Sequence, residues 1–521
     1  TGLRYKTVAA DSGFYLTEYL IDAKGRETHR LSRRMDWVVG SGTSARTYLS
    51  EKDGWFYELP ITWYTQKGRW DFSPGYRGAN KRFDRKIVDR CVSCHNSYPE
   101  SVDQTNGKYV DMPAGIGCER CHGPGSIHVA ERLASPLSAG EIDLSIVNPA
   151  HLRLDARLDV CQQCHLNTSV SLLREGRTPF DFRPSQKLDD YIALYAAHES
   201  NNDGIGVISH ADRMKLSACF LESQTFDEPL QCTTCHDPHQ GFRTKGPEYF
   251  NTTCTTCHAS ETLLDRFKTS ENKKIHDPTA NCIACHMPKT DLIEAPHSAF
   301  TDHWIRVVKD SKDAPQAVHQ QSILTAVFEK DKAGSATSDL FMGMALVTEG
   351  QRTGKREVLE EAIELLGTAL QKNQSVSEAY YLHGFAYILL GRFADAIPSL
   401  EVAARMDPSK AERLNALAQA YERIRQNPDK VEQLYREALR IQPALTDIRI
   451  NLGRFLESRN RLDEAIDEYK KAVSIEKWND IGFFNLGTAF LRKGEFKLAE
   501  SNLKRAIELN PFHGSALSNL G

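Results

Sequence analysis

Six times along the chain, two cysteines stand three residues apart with a histidine directly after the second. The sets are Cys91, Cys94 and His95; Cys118, Cys121 and His122; Cys161, Cys164 and His165; Cys232, Cys235 and His236; Cys254, Cys257 and His258; and Cys282, Cys285 and His286. At this composition chance supplies roughly 0.01 copies of the pattern, which reads as c-type haem attachment. Thiols at that spacing can each add to one vinyl group of a porphyrin, and the adjoining imidazole reaches the iron from the proximal side. Zinc would use the cysteine pairs in twos and does not need a histidine after each pair. A thioredoxin-like pair occurs once, in a βαβ setting. A disulfide inside Cys-x-x-Cys closes a tiny loop and adds little stability. The sequence therefore predicts six covalent c-type haems and no other cofactor.

Of the 18 histidines, six are these proximal iron ligands. A second axial histidine saturates an iron and confines it to electron transfer, whereas a five-coordinate iron can bind a substrate. His319, His383 and His513 belong to the helical C-terminal part or its approach, which leaves nine candidates for six distal positions. His128 follows a Gly-Pro-Gly-Ser loop that can return the chain to a neighbouring haem. His239 stands too close to His236 to share its iron and is expected on a different one. His276 precedes the sixth motif, and His210 opens a helical stretch with Met214 one turn on. His297 and His303 flank Ser-Ala-Phe-Thr-Asp. His29, His198 and His151 rank behind these six, with solvation or a bond to a haem propionate as their plain alternative. Cys219, the thirteenth cysteine, reads as a small buried hydrophobe, and Met287 as packing. Arg90, Arg120, Arg153, Arg157 and Arg183 lie beside the motifs. Their guanidinium forks suit haem propionates, and surface solvation explains each of them equally well.

Several elements must position these residues. The 521 residues exceed one ordinary core. Mean hydropathy is −0.47, and no run approaches the ~20 apolar residues of a membrane span. Lys and Arg number 65 against 69 Asp and Glu, which argues against a nucleic-acid binder. Residues 1–85 read as β-rich. Phe14 to Ile21 is strand-like, and Asp53-Gly54 is a hairpin signal between Arg46–Leu49 and Trp55–Leu59. Trp63, Tyr64, Trp70, Phe72 and Tyr76 are expected to pack this sheet and cover the first haem. Residues 86–310 are polar and loop-rich, so porphyrins must supply the core, with short helices around the motifs.

Residues 311–521 repeat with a period near 34. One register is Gly384, Tyr387, Ala396, Leu400, Ala403 and Pro408. It recurs as Ala418, Tyr421, Val431, Tyr435, Ala438 and Pro443, then as Gly453, Leu456, Ala465, Tyr469 and Ala472 with Lys477 where proline is expected, and then as Gly487, Phe490, Ala499, Leu503, Ala506 and Pro511. A looser copy holds Gly343, Ala362, Leu366 and Ala369. This region resembles the tetratricopeptide repeat family, about five repeats with the last cut short. Small residues let paired helices cross closely, and the proline ends the second helix. The chain opens at Thr1 with no charged-then-apolar leader and stops inside a repeat, so the natural chain is expected to continue. The expected fold is multidomain: a small β-rich N-terminal region, a loop-rich, short-helix multihaem domain and an all-α solenoid.

The whole also resembles secreted multihaem cytochromes fused to tetratricopeptide repeats, and its haem segment is distantly similar to the tetrahaem cytochromes of ammonia oxidisers. The matching stretches are Trp37 to Gly42, Trp70 to Tyr76, Gly117 to Gly125, Asp181 to Pro184, Cys285 to Pro288 and Thr301 to Trp304. After Gly42 the chain reads Thr-Ser-Ala-Arg where the resemblance leads one to look for a histidine. The resemblance implies an exported electron-transfer protein and names no substrate. Covalent haem is attached outside the inner membrane, so the expected location is the periplasm, the cell surface or the exterior. The expected function is electron transfer through six haems. The expected partners are redox proteins or an extracellular acceptor, docked through the repeats, and further copies of the chain, as in a filament. The competing expectation is a multihaem oxidoreductase of the nitrite or hydroxylamine type with one five-coordinate haem.

Overall fold

The computed structural model describes residues 2–40, 42–76, 80–105, 107–138, 140–165, 170–197, 210–241, 245–258, 281–291, 299–307, 324–328, 331, 336–372 and 376–521. Alternating side chains at the N-terminus build an antiparallel meander of β1 (Arg4–Ala10), β2 (Gly13–Ile21) and β3 (Glu27–Arg34). A second sheet has the order β4 (Trp37–Val39), β5 (Thr47–Lys52), β6 (Trp55–Glu58) and β9 (Arg85–Lys86), with the hairpin β7 (Ile61–Tyr64) and β8 (Arg69–Phe72) beside it. The β5–β6 turn takes φ of 51° at Asp53 and 80° at Gly54, the left-handed pair that a two-residue hairpin requires. Lys52 thereby pairs with Trp55.

The aromatics divide their work differently from expectation. Trp63 and Trp70 pair across their hairpin at 5.5 Å. Tyr64 and Tyr76 are buried and donate to the Phe72 and Glu58 carbonyls. The residues packed on the first motif are Leu49, Phe56 and Tyr109, with Trp37 and Val39, against Cys91 and Val92.

Between the flanks, short helices alternate with two small ladders, β10 (Glu100–Ser101) with β11 (Tyr109–Asp111) and β14 (Lys289–Asp291) with β15 (Ala299–Thr301). The helices are α1 (Asp89–His95), α2 (Glu119–His122), α3 (Ser126–Ala134), α4 (Leu154–Gln162), α5 (His210–Lys215), α6 (Ala218–Ser223), α7 (Cys232–Cys235), α8 (Pro247–Cys257) and α9 (Cys282–His286), and the six cysteine motifs fall on α1, α2, α4, α7, α8 and α9. Eleven further helices follow: α10 (Ala336–Thr353), α11 (Arg356–Lys372), α12 (Ser377–Leu389), α13 (Phe393–Met406), α14 (Ala411–Arg423), α15 (Pro428–Ile441), α16 (Thr446–Ser458), α17 (Leu462–Ile475), α18 (Asp480–Lys493), α19 (Phe496–Leu509) and α20 (Gly514–Leu520). They form five pairs and one half-pair, in the register of the repeats. Close crossing explains the small residues: a Cβ added at Gly453 would lie 2.4 Å from Tyr469 Cε1. Pro408, Pro443 and Pro511 follow the ends of α13, α15 and α19, where a residue without an N–H cannot continue the helix.

Two sets of contacts cross the expected boundaries at residues 85 and 310. Strand β16 (Leu324–Ala326) completes a sheet with β12 (Val170–Leu173) and β13 (Ile192–Ala197). Val170, Ala193, Tyr195, Leu324 and Ala326 share one core with Leu340, Met344 and Leu366 of the first helix pair. Near the other end of the array, Tyr57 meets Trp478 edge-on at 4.9 Å, in a cluster with Trp55 and Leu509. Trp478 adjoins Lys477, the position where the repeat lacks its proline, and this loop docks on the β5–β6 hairpin. The Arg82 guanidinium grips the buried Glu18 carboxylate and donates to the Leu509 carbonyl. Lys86 pairs with Glu476.

Candidate functional site

All six motifs close as single helical turns. The histidine N–H donates to the carbonyl of the first cysteine at His122 (2.9 Å), His165 (3.0 Å), His236 (3.0 Å) and His258 (2.9 Å). The first and sixth motifs lie inside α1 and α9. An i, i+3 spacing on such a turn places both thiols on one face. Local chemistry starts the turns: Gln231 and Thr234 form a reciprocal cap on α7, and the Asn281 side chain accepts from Ala284 N–H. All thirteen cysteines are free thiols.

The motifs pack on one another. Cys94 Sγ donates to the Gln163 carbonyl at 3.7 Å, and Cys164 Sγ donates to the Ser93 carbonyl at 4.0 Å, a reciprocal contact between the first and third motifs. Cys161 lies beside Cys232 of the fourth motif, and Cys254 beside Cys282 of the sixth. The bond from Cys164, assisted by Ser93 and two arginines, pulls the Cys94 thiol down to about 6 against its burial.

Several imidazoles are oriented by a bond at Nδ1. His122 donates to Val147 O at 2.9 Å, His286 to Arg306 O at 3.0 Å and His303 to Thr301 O at 2.9 Å. A carbonyl can only accept, so Nδ1 carries the proton and Nε2 keeps its lone pair for a metal. His128 Nδ1 faces Asp143 at 2.8 Å with the same result. The ring centres of His122 and His239 lie 6.0 Å apart and nearly parallel, those of His165 and His210 6.0 Å apart, and those of His236 and His303 6.2 Å apart. His210 and His303 approach to 4.3 Å. Burial, then the neighbouring His303, His165 and His236, holds His210 down to about 3, so it is neutral. Asp302, next to His303 in the chain, is held by two arginines. Burial works against its charge, but bonds from Arg213, Arg306 and the Trp304 N–H hold it at about 2.

The other sequence-predicted residues fall elsewhere. His29 spends its Nε2 on Glu18 at 3.0 Å, inside the N-terminal sheet. His151 is exposed on a 3-10 turn. His198, His276 and His297 lie outside the described residues. Cys219 is half-buried on α6. Arg90 is exposed, and Arg153 faces Asp155 at 3.4 Å on the surface. Arg157 donates to Leu152 O at 2.6 Å, and Arg183 stacks over Tyr98 at 4.9 Å. The bond from Gln163 to the Arg120 backbone, which ties the third motif to the second, has no signature in the sequence.

These residues fit a c-type haem. Each turn supplies two thiols on one face and an imidazole. With metal–imidazole bonds of about 2 Å, two rings gripping one metal ion from opposite sides have centres roughly 6 Å apart, the separation seen three times. Arg120 adds a buried cation that, among the described residues, faces no carboxylate.

Comparisons with known proteins bear on both halves. Tetratricopeptide repeat models match residues 350–411, 386–446, 415–480 and 482–513. Among curated proteins, the chain is 33% identical over 127 residues to protein O-mannosyl-transferase TMTC3 of Homo sapiens, covering 24% of this chain and 14% of that protein. It is 26% identical over 182 residues to the BBSome complex member BBS4 homolog of Drosophila melanogaster, 34% of this chain and 36% of that one. It is 24% identical over 202 residues to the multiheme cytochrome MtrA of Shewanella baltica (strain OS185), 35% of this chain and 56% of that one. The chain thus spans between about a seventh and just over half of these relatives. Solved structures that resemble it include MamA, with 24% identity, TM-score 0.29 and coverage of 32% of this chain and 94% of that one. Another is YrrB, titled a TPR protein with an unusual peptide-binding site, with 22% identity, TM-score 0.31 and coverage of 37% and 93%. No helix among the described residues is long and apolar enough to cross a membrane. The C-terminal part of this chain, from residue 350 onward, is an array of tetratricopeptide repeats.

Proposed function

We propose that the chain is an exported electron-transfer protein carrying six c-type haems, and that its repeats dock a redox partner or a second copy of the chain. The observation that carries this reading is the uniform build of the six motifs. Each is one helical turn with free thiols, and three of the six proximal imidazoles have a second imidazole about 6 Å away. The likeness to a multiheme cytochrome supports it.

A bound c-type haem supplies a one-electron iron couple. The chain's residues do the rest. Each thiol pair would hold one porphyrin. Val147, Arg306 and Thr301 carbonyls keep three imidazoles in the tautomer that presents Nε2. His122 with His239, His165 with His210, and His236 with His303 would each take one iron from both sides and leave no open position for a substrate. The contacts between motifs would keep the porphyrins close to one another, and the repeats would offer a surface for a partner.

Intact mass of the mature protein, made with haem-attachment machinery, is expected to exceed the polypeptide by six haems. Its ferric spectrum is expected to be low-spin for the three paired irons. A mass with no added haem overturns the reading. Six haems with a strong high-spin ferric signal instead favour an oxidoreductase with a five-coordinate iron.

A further inference from the structure

Arg120 stands between the two thiols of the second motif and is 2% exposed. Its Nη2 donates to Ser93 O of the first motif at 2.8 Å, and Gln163 of the third motif donates to its backbone carbonyl at 2.9 Å. Three motifs therefore meet at one arginine. The cation lies 5.1 Å from the ring centre of Tyr98 and 5.8 Å from that of Phe180. Its Nε and Nη1 are buried away from any oxygen acceptor, and the group beside the guanidinium is the Cys164 thiol of the third motif, a weak acceptor.

Other buried arginines are neutralised. Arg174 is forked onto Asp331 at 2.8 Å, and Arg413 pairs with Glu378 and Asp407. Among the described residues, no carboxylate faces Arg120. A buried charge without its counter-ion is strongly destabilising, and a buried donor left with only a weak acceptor adds to that cost. Aromatic faces offset only part of it. The missing partner is an anion with acceptor oxygens, small enough to reach a junction closed by three motifs.

We infer that Arg120 binds a haem propionate at the junction of the first three motifs. This rests on the haem reading above. Propionates are the carboxylates that a c-type haem brings with it, and each motif at the junction would place one porphyrin within reach. Arg120 is then a positioning residue: it touches the cofactor's rim, fixes its tilt and holds a positive charge beside the iron.

The test uses the full chain with its haems attached. Arg120→Met and Arg120→Lys are compared with the unaltered protein by intact mass and by potentiometric titration of the visible spectrum. Thioether bonds hold the haems, so all three proteins are expected to carry six. In Arg120→Met a minority of the six transitions, no more than three, is expected to move to lower potential, because a nearby cation disfavours the ferric state. Arg120→Lys is expected to restore them, a rescue that a purely structural role would not produce. Unchanged potentials in an Arg120→Met protein that keeps six haems overturn the inference. Loss of haem from the unaltered protein overturns the haem reading instead. Where Arg120→Met does not accumulate, isotope-edited infrared spectra of labelled propionates in the unaltered protein and Arg120→Lys decide. One shifted carboxylate band supports the contact, and identical bands refute it.

Discussion

Replacing Trp478 with alanine tests the junction between the N-terminal sheet and the repeats. The indole is 7% exposed and packs edge-on against Tyr57, with Trp55, Leu509 and Phe483 around it. Truncating a buried tryptophan costs about 3–5 kcal/mol, transfer and cavity together. The edge-to-face pair accounts for about 0.5–1.5 kcal/mol of that. Repeat arrays hold together through nearest-neighbour contacts, so the loss should fall on the sheet and leave the helices largely intact. Denaturant unfolding of the haem-loaded chain, followed by near-ultraviolet and far-ultraviolet dichroism, should show the aromatic transition moving to lower denaturant while the helical one moves little. A cycle with Tyr57→Ala should return a coupling of about 0.5–1.5 kcal/mol. A total loss below about 1 kcal/mol, or a coupling of zero, would refute the argument that this contact fastens the sheet to the array.

Three further outcomes are expected. Gly453→Val forces a side chain into Tyr469, 2.4 Å from its added Cβ, and should destabilise the repeats by about 1–3 kcal/mol or more in thermal unfolding. His239→Ala removes the imidazole facing His122, so one low-spin ferric haem should become high-spin in electron paramagnetic resonance while the haem count stays at six. Burial raises the Glu58 carboxyl from 4.5 to about 7, with Arg85 only partly offsetting it. The folded state therefore holds this proton more tightly than the unfolded chain. Stability should fall as pH rises from about 4.5 to about 7, by up to about 3 kcal/mol, and Glu58→Gln should flatten that slope in denaturant titrations.

What the sequence discloses here is what is local. The six motifs are each five residues long, and their i, i+3 geometry follows from spacing alone. The repeats repeat, so Gly384, Gly453 and Gly487 announce where helices cross. Asp53-Gly54 announces its turn because two left-handed residues are chemically rare. Contacts between distant segments leave no such mark. Nothing near Leu324 says that it will complete a sheet with residues 170 to 197, and nothing near Arg120 says that Ser93 and Gln163 will close on it. His29 looks like a ligand candidate until the fold sets Glu18, on the neighbouring strand, against its ring nitrogen. The sequence sets His239 apart from its own motif, and only packing brings its ring opposite His122. Lys477 is the instructive intermediate. A break in the repeat pattern marked the place where a second surface presses, without naming the surface.

The repeat array is fastened at two places. The first helix pair shares a core with β12, β13 and β16, and the loops before α18 and after α19 are held by Tyr57, Lys86 and Arg82. Between those anchors the cysteine motifs run along the same chain. The protein is therefore closed into a loop, and the array is a strut of set length. A free solenoid tolerates the gain or loss of a repeat. Here one unit more or less would shift the second anchor by a whole helix pair relative to the first. The number of repeats between Ala336 and Leu509 is thus constrained by the span of the motif-bearing segment, and lengthening one requires lengthening the other.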